Sequence, residues 1–146
     1  MTPVFADTEY WIAINSPRDD LYACAVAVTQ ILRNRPIVTS EMVLAEFLDG
    51  CATRGENVRR MATAFVRGLS TVGLLRICPQ TSALFLDALT LYEIRADKEW
   101  SLTDCSSIVI CQQENVIDVL THDHHFAQAG LNALLREPID GSQSKM

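Results

Sequence analysis

The chain has 146 residues, of which 49% are hydrophobic and 21% charged, with a formal net charge of −6. That length suits one ordinary domain with a sizeable core, and the composition excludes a disordered chain. No apolar run is long enough to cross a bilayer, and the acidic balance disfavours a general nucleic-acid binder, although not an enzyme that gathers acids around cations.

Residues 3–7 predict a short strand that ends on Asp7. Ahead of Trp11 there is an early acid and no basic region, so the N-terminus does not read as a signal peptide, and a cytoplasmic protein is expected. Thr8 starts a helical stretch, and Pro17 to Asp20 form a turn. From Asp20 to Asn34, Leu21, Ala25, Val28, Ile31 and Leu32 recur at helical spacing. Pro36 to Thr39 predict a second strand. Ser40 fits the cap of the next helix, which Gly50 would help to end.

Gly55 opens a long amphipathic helix. Its predicted apolar face carries Val58, Met61, Phe65, Leu69 and Val72, and Arg59, Arg60 and Arg67 are its basic residues. Gly73 closes it, and Leu74 to Cys78 predict a third strand. Pro79 starts another helix, with Ala83, Leu86, Leu89 and Leu91 in an apolar pattern. A loop follows, then a helix from Thr103 to Glu114, a strand from Val116 to Thr121, a helical turn from His124 to Ala129 and a fifth strand from Leu131 to Leu135. The domain is expected over residues 1–137, with a polar C-terminal tail over 138–146.

Short apolar strands that alternate with helices fit a sheet covered on both faces. The expected class is α/β, a three-layer α/β/α domain with a largely parallel five-stranded sheet. The five cysteines (Cys24, Cys51, Cys78, Cys105 and Cys111) are odd in number and form no CxxC pair. They argue against a disulfide framework or a zinc knuckle and read mostly as small buried hydrophobes. Trp11 and Trp100 read as core or interface anchors.

In a parallel sheet of this kind the chemistry lies beyond the carboxyl ends of the strands. Asp7 follows the first strand and Asp123 the fourth. Asp104 lies in the first turn of its helix. Glu46 lies on the helix side shared by Val43 and Phe47, where an acid is costly unless it is paired or bound to a cation. Each acid also has a plain structural role available. Asp7 fits a helix cap, Ser101 and Asp104 fit a capping box, and Asp123 fits a turn. Glu41 and Asp49 compete with Glu46, and helix-terminus electrostatics fully explain Glu41.

Carboxylates brought together repel, and hard divalent cations such as Mg²⁺ or Mn²⁺ relieve that repulsion. Two such ions about 3.5–4 Å apart can activate water and stabilise the leaving oxygen in phosphodiester cleavage. The residues alone thus give an acidic metal site and no substrate. His122, His124 and His125 surround Asp123. If helical, His124 and His125 point different ways, which disfavours a dedicated zinc site.

Four segments carry a resemblance: FADTEYW at 5–11, VLAEF at 43–47, SLTDCSS at 101–107 and LTHDHHF at 120–126. In this order and context the chain resembles a PIN domain, and more narrowly the small single-domain PIN proteins of the VapC toxin type, from Val4 to Leu135. The resemblance implies that Asp7, Glu46, Asp104 and Asp123 are the catalytic and metal-holding acids, with Thr8 and Thr121 in supporting positions. It implies a PIN-like fold and a Mg²⁺- or Mn²⁺-dependent endoribonuclease that hydrolyses RNA phosphodiester bonds. It also implies the toxin role in a type II toxin–antitoxin pair, a cognate antitoxin and a homodimer, while no membrane association is expected from the lack of a spanning apolar run. The competing expectation is a PIN-fold module that binds RNA or protein without cutting.

Overall fold

The computed structural model describes residues 1–136, so the expected tail at 138–146 lies outside the described residues. Five strands form one sheet: β1 (Val4–Ala6), β2 (Ile37–Ser40), β3 (Leu75–Cys78), β4 (Asp118–Leu120) and β5 (Asn132–Ala133). The helices are α1 (Thr8–Ile14), α2 (Tyr22–Ile31), α3 (Glu41–Cys51), α4 (Glu56–Leu69), α5 (Ser82–Ile94), α6 (Leu102–Glu114) and α7 (His124–Gln128). The strand order is β3-β2-β1-β4-β5 and every pairing is parallel, as the alternation of strands and helices predicts.

β1 is the centre of the sheet and is buried along its whole length. Its neighbours β2 and β4 lie on opposite sides, so the chain changes direction across the sheet between β1 and β4. Such a switch point opens a crevice at the carboxyl ends of the two strands. The register pairs Phe5 with Val119 and Ala6 with Leu120. The next residues out, Asp7 and Thr121, therefore leave the sheet side by side.

Helix starts follow local chemistry. The Ser40 hydroxyl accepts the Val43 N–H and caps α3. Thr81 accepts the Leu84 N–H and caps α5, so that helix begins after Thr81 rather than at Pro79. Gly55 takes φ of 100°, a conformation few other residues tolerate, and turns the chain into α4. Gly50 does not end α3, which runs on to Cys51.

The middle of α6 is buried on all sides from Cys105 to Cys111. Phe5, Ile108, Val119 and Phe126 are among the side chains that fill the core. Trp11 is buried and donates its indole N–H to Thr39 at 3.1 Å, and Thr39 donates to the Ala6 carbonyl at 2.9 Å. Trp100 is also buried and donates to Gln128 at 2.9 Å. Both tryptophans are thus core residues, as expected.

Two helix faces differ from the predicted ones. On α4, Ala62 and Leu69 are buried and Val58 and Phe65 are half-buried, while Met61 and Val72 stay exposed. α4 packs chiefly against α3, so only a narrow stripe is covered. On α5, Leu84 and Ala88 face α6, and Leu86 and Leu89 are exposed. The helix is apolar almost throughout, so its spacing alone does not select a face. Among the described residues, no helix is long and apolar enough to cross a membrane.

Candidate active site

Asp7 caps α1 through its backbone, while its side chain makes no capping hydrogen bond. The carboxylate instead accepts the Thr121 hydroxyl at 2.9 Å. Thr121 in turn accepts the Asp123 N–H at 3.1 Å. One buried hydroxyl therefore ties the acid after β1 to the acid after β4. Asp123 also caps α7, accepting the His125 N–H at 2.9 Å.

Asp104 arrives from α6. It completes a capping box with Ser101, with both bonds at 3.0 Å. The same Oδ2 lies 3.1 Å from His125 Nδ1. That nitrogen is also 3.3 Å from Asp123 Oδ1. His125 thus sits between Asp104 and Asp123, as Thr121 sits between Asp123 and Asp7. The capping roles expected for Asp104 and Asp123 are real, and they leave each carboxylate at the shared edge.

Asp7 is only 5% exposed. Burial pushes its carboxyl up from the usual 3.8 to about 7. The nearby charges of Asp104 and Glu9 add to the rise, and hydrogen bonds from the Thr8 N–H and the Thr121 hydroxyl oppose it. Glu9 is an acid that sequence reasoning missed. Its carboxylate accepts the His122 N–H at 2.8 Å and ties α1 to the loop after β4. In the sequence it reads only as a favourable charge in a first helical turn.

Glu46 is exposed, although Val43 and Phe47 are buried. The expected core-facing position is therefore corrected. The buried stripe of α3 runs through Val43, Leu44, Phe47 and Cys51, and Glu46 falls beside it. No hydrogen bond or ion pair joins Glu46 to the three aspartates among the described residues. Its competitor Glu41 accepts the Gln80 N–H at 2.6 Å, a structural role.

The histidines also depart from expectation. His124 and His125 do not diverge, since their ring centroids are 4.5 Å apart. Their helix is a single five-residue turn, with Asp123 at its start. His122 is exposed and contributes its backbone N–H to Glu9. Burial pushes the Cys111 thiol up to about 12, with the Asp7 charge next in effect, so that thiol stays protonated and inert.

The donor set suits a hard divalent cation. The three aspartates offer oxygen, and among the described residues no Lys or Arg pairs with them, while ring nitrogens of His124 and His125 lie 3.1–3.6 Å from Asp104 and Asp123. Thr8 Oγ1, next to Asp7 in the chain, is buried without a hydrogen-bond partner. A separate groove of about 810 Å³ lies between α1, α3 and α4, away from these acids. Phe47, Val58, Met61 and Phe65 line it, with Arg18 and Arg54.

The sequence model of the PIN domain matches residues 4–131. The chain belongs to the PIN domain family. Among solved structures, this PIN domain is similar to VapC20 of Mycobacterium tuberculosis, described as a Sarcin-Ricin loop cleaving toxin. The TM-score is 0.76 at 21% identity, over 88% of this chain and 95% of that one. It is similar to FitAcB from Neisseria gonorrhoeae, with a TM-score of 0.63 at 19% identity over 89% and 95% of the two chains. It is also similar to VapBC2 from Rickettsia felis, bound to a DNA fragment from its promoter, with a TM-score of 0.64 at 15% identity over 90% and 97%. At these identities the likeness establishes a shared fold. Comparison with curated proteins finds no match.

Proposed function

We propose that this PIN domain is a cytoplasmic, metal-dependent endoribonuclease and the toxin of a type II toxin–antitoxin pair. The observation that carries the proposal is the gathering of Asp7, Asp104 and Asp123 at the carboxyl ends of β1 and β4, with no Lys or Arg paired to them among the described residues. Family membership adds weight, as does the description of VapC20 as a cleaving toxin.

In this proposal Asp7, Asp104 and Asp123 hold Mg²⁺ or Mn²⁺. When bound, the ion supplies an activated water and a Lewis acid for the phosphodiester. Thr121 aims Asp7 and fixes the backbone of Asp123. His125 holds Asp104 and Asp123 at a set separation. Glu46 is the fourth acid. Its helix α3 packs against α1 and α6, and in this proposal the exposed Glu46 side chain orients water.

The test is incubation of purified protein with single-stranded RNA and Mn²⁺. Cleavage is expected to stop in excess chelator and to return when Mn²⁺ is restored. Cleavage at full rate in chelator, or RNA bound but never cut, would overturn the proposal.

A homodimer and an antitoxin complete it. α5 exposes Phe85, Leu86, Leu89 and Tyr92 on one side, an apolar face suited to a second copy. The groove between α1, α3 and α4 offers apolar walls and two arginines to a partner segment. Light scattering is expected to find a dimer that Leu89→Glu splits into monomers. A monomeric wild type would exclude this use of α5.

A further inference from the structure

In the cluster at the start of α7, His124 has no part in the cap or in the hydrogen bonds of the acidic site. His124 Nδ1 lies 3.6 Å from Asp123 Oδ1, beyond hydrogen-bond range. The ring therefore stands beside the carboxylate without being bonded to it. His125 Nδ1 lies 3.3 Å from the same oxygen. The ligand atoms of Asp123, His124 and His125 all fall within 4.8 Å of one another.

These spacings have a chemical counterpart. Zinc bonds of roughly 2.0–2.2 Å in a tetrahedron place neighbouring ligand atoms about 3.3–3.6 Å apart. Asp104 Oδ2, at 3.1 Å from His125 Nδ1, is a hydrogen-bond partner that holds this ring, and the fourth position of such a site is left to water. Two imidazoles with a carboxylate form a donor set for zinc and its neighbours in the series, whereas Mg²⁺ prefers oxygen. The His124 side chain is 71% exposed and that of His125 is 18%, so the cluster is open to solvent on one side and firmly seated on the other. An open side gives an ion its entry path.

We propose that Asp123, His124 and His125 form a subsite for a transition ion of the Zn²⁺ and Co²⁺ class, with Asp104 holding the His125 ring from outside. The subsite binds its ion whether or not the chain cuts RNA. Because it uses Asp123, an ion seated there takes one carboxylate away from Mg²⁺ or Mn²⁺.

The full chain is titrated with Zn²⁺ by calorimetry and with Co²⁺ by visible absorption. Wild type is expected to take one equivalent of Zn²⁺, and its Co²⁺ complex to show the intense bands of four-coordinate cobalt. His124→Gln and His125→Gln are each expected to weaken Zn²⁺ at least tenfold, while His122→Gln binds as wild type. His124 is exposed, so its replacement leaves the fold intact, which circular dichroism verifies. No saturable Zn²⁺ binding by wild type, or unchanged affinity in His124→Gln, overturns the subsite. Either result leaves Mn²⁺-dependent cleavage as a separate question, read in the same preparations.

Discussion

Replacing Asp7 with asparagine is expected to stabilise the metal-free protein at pH 8 and to abolish RNA cleavage. The Asp7 carboxyl titrates near 7 when folded, against 3.8 without burial. Between those values the folded protein keeps a proton that the unfolded chain has released. The resulting stability is complete below pH about 4, erodes as pH rises, and is gone above about 7. At pH 8 the folded state must therefore carry a buried, uncompensated carboxylate, at a cost on the order of a few kcal/mol. Asparagine has the same shape and no charge, and its side-chain oxygen can accept the Thr121 hydroxyl that Asp7 accepts now. Melting curves in chelator should show Asp7→Asn several degrees above wild type at pH 8, with the difference closing by pH 4. Mn²⁺ should raise the melting temperature of wild type and leave that of the variant almost unchanged. A variant that melts below wild type at pH 8 would show that Asp7 is a structural residue.

This trade of stability for a charged pocket also explains what was legible in the sequence. Asp7 directly follows strand β1 and Asp123 follows β4, so the strand ends pointed to both acids, while the pairing of β1 with β4 is what brings Asp7 beside Thr121. Ser101 and Asp104 read as a capping box, and they form one. Local patterns carry such features because caps and strand ends are decided within a few residues. The side of α3 that Glu46 occupies was not legible in this way. Glu46 lies one position before buried Phe47, and a helical wheel does not separate the edge of a stripe from its centre. The bridging place of His125 was invisible for another reason. It depends on how the first turn of α6 meets α7, across 21 residues of chain. Glu9 was hidden because its plain role at a helix start was already sufficient.

Asp104→Asn is expected to remove cleavage while leaving the fold in place, which separates the two roles of this residue. Its carboxylate accepts the Ser101 N–H and faces His125. Asparagine can still accept the Ser101 N–H, so the start of α6 survives. What it loses is the negative charge that the proposed cation requires. With Mn²⁺ saturating for wild type, cleavage should fall at least about a hundredfold, equivalent to roughly 3 kcal/mol. Melting should shift by no more than a few degrees. Asp7 supplies an internal check: the Asp104 charge raises its pKa, so the Asp7 carboxyl should titrate lower in the variant, as carbon NMR can follow. Ser101→Ala is the opposite control. It removes the hydroxyl that caps the Asp104 N–H and costs about 1 kcal/mol, while the carboxylate charge is untouched and cleavage persists. If Ser101→Ala and Asp104→Asn lost activity only in step with lost stability, Asp104 would be a cap and nothing more. If Asp104→Asn alone loses cleavage in a folded protein, the charge at the start of α6 belongs to the chemistry.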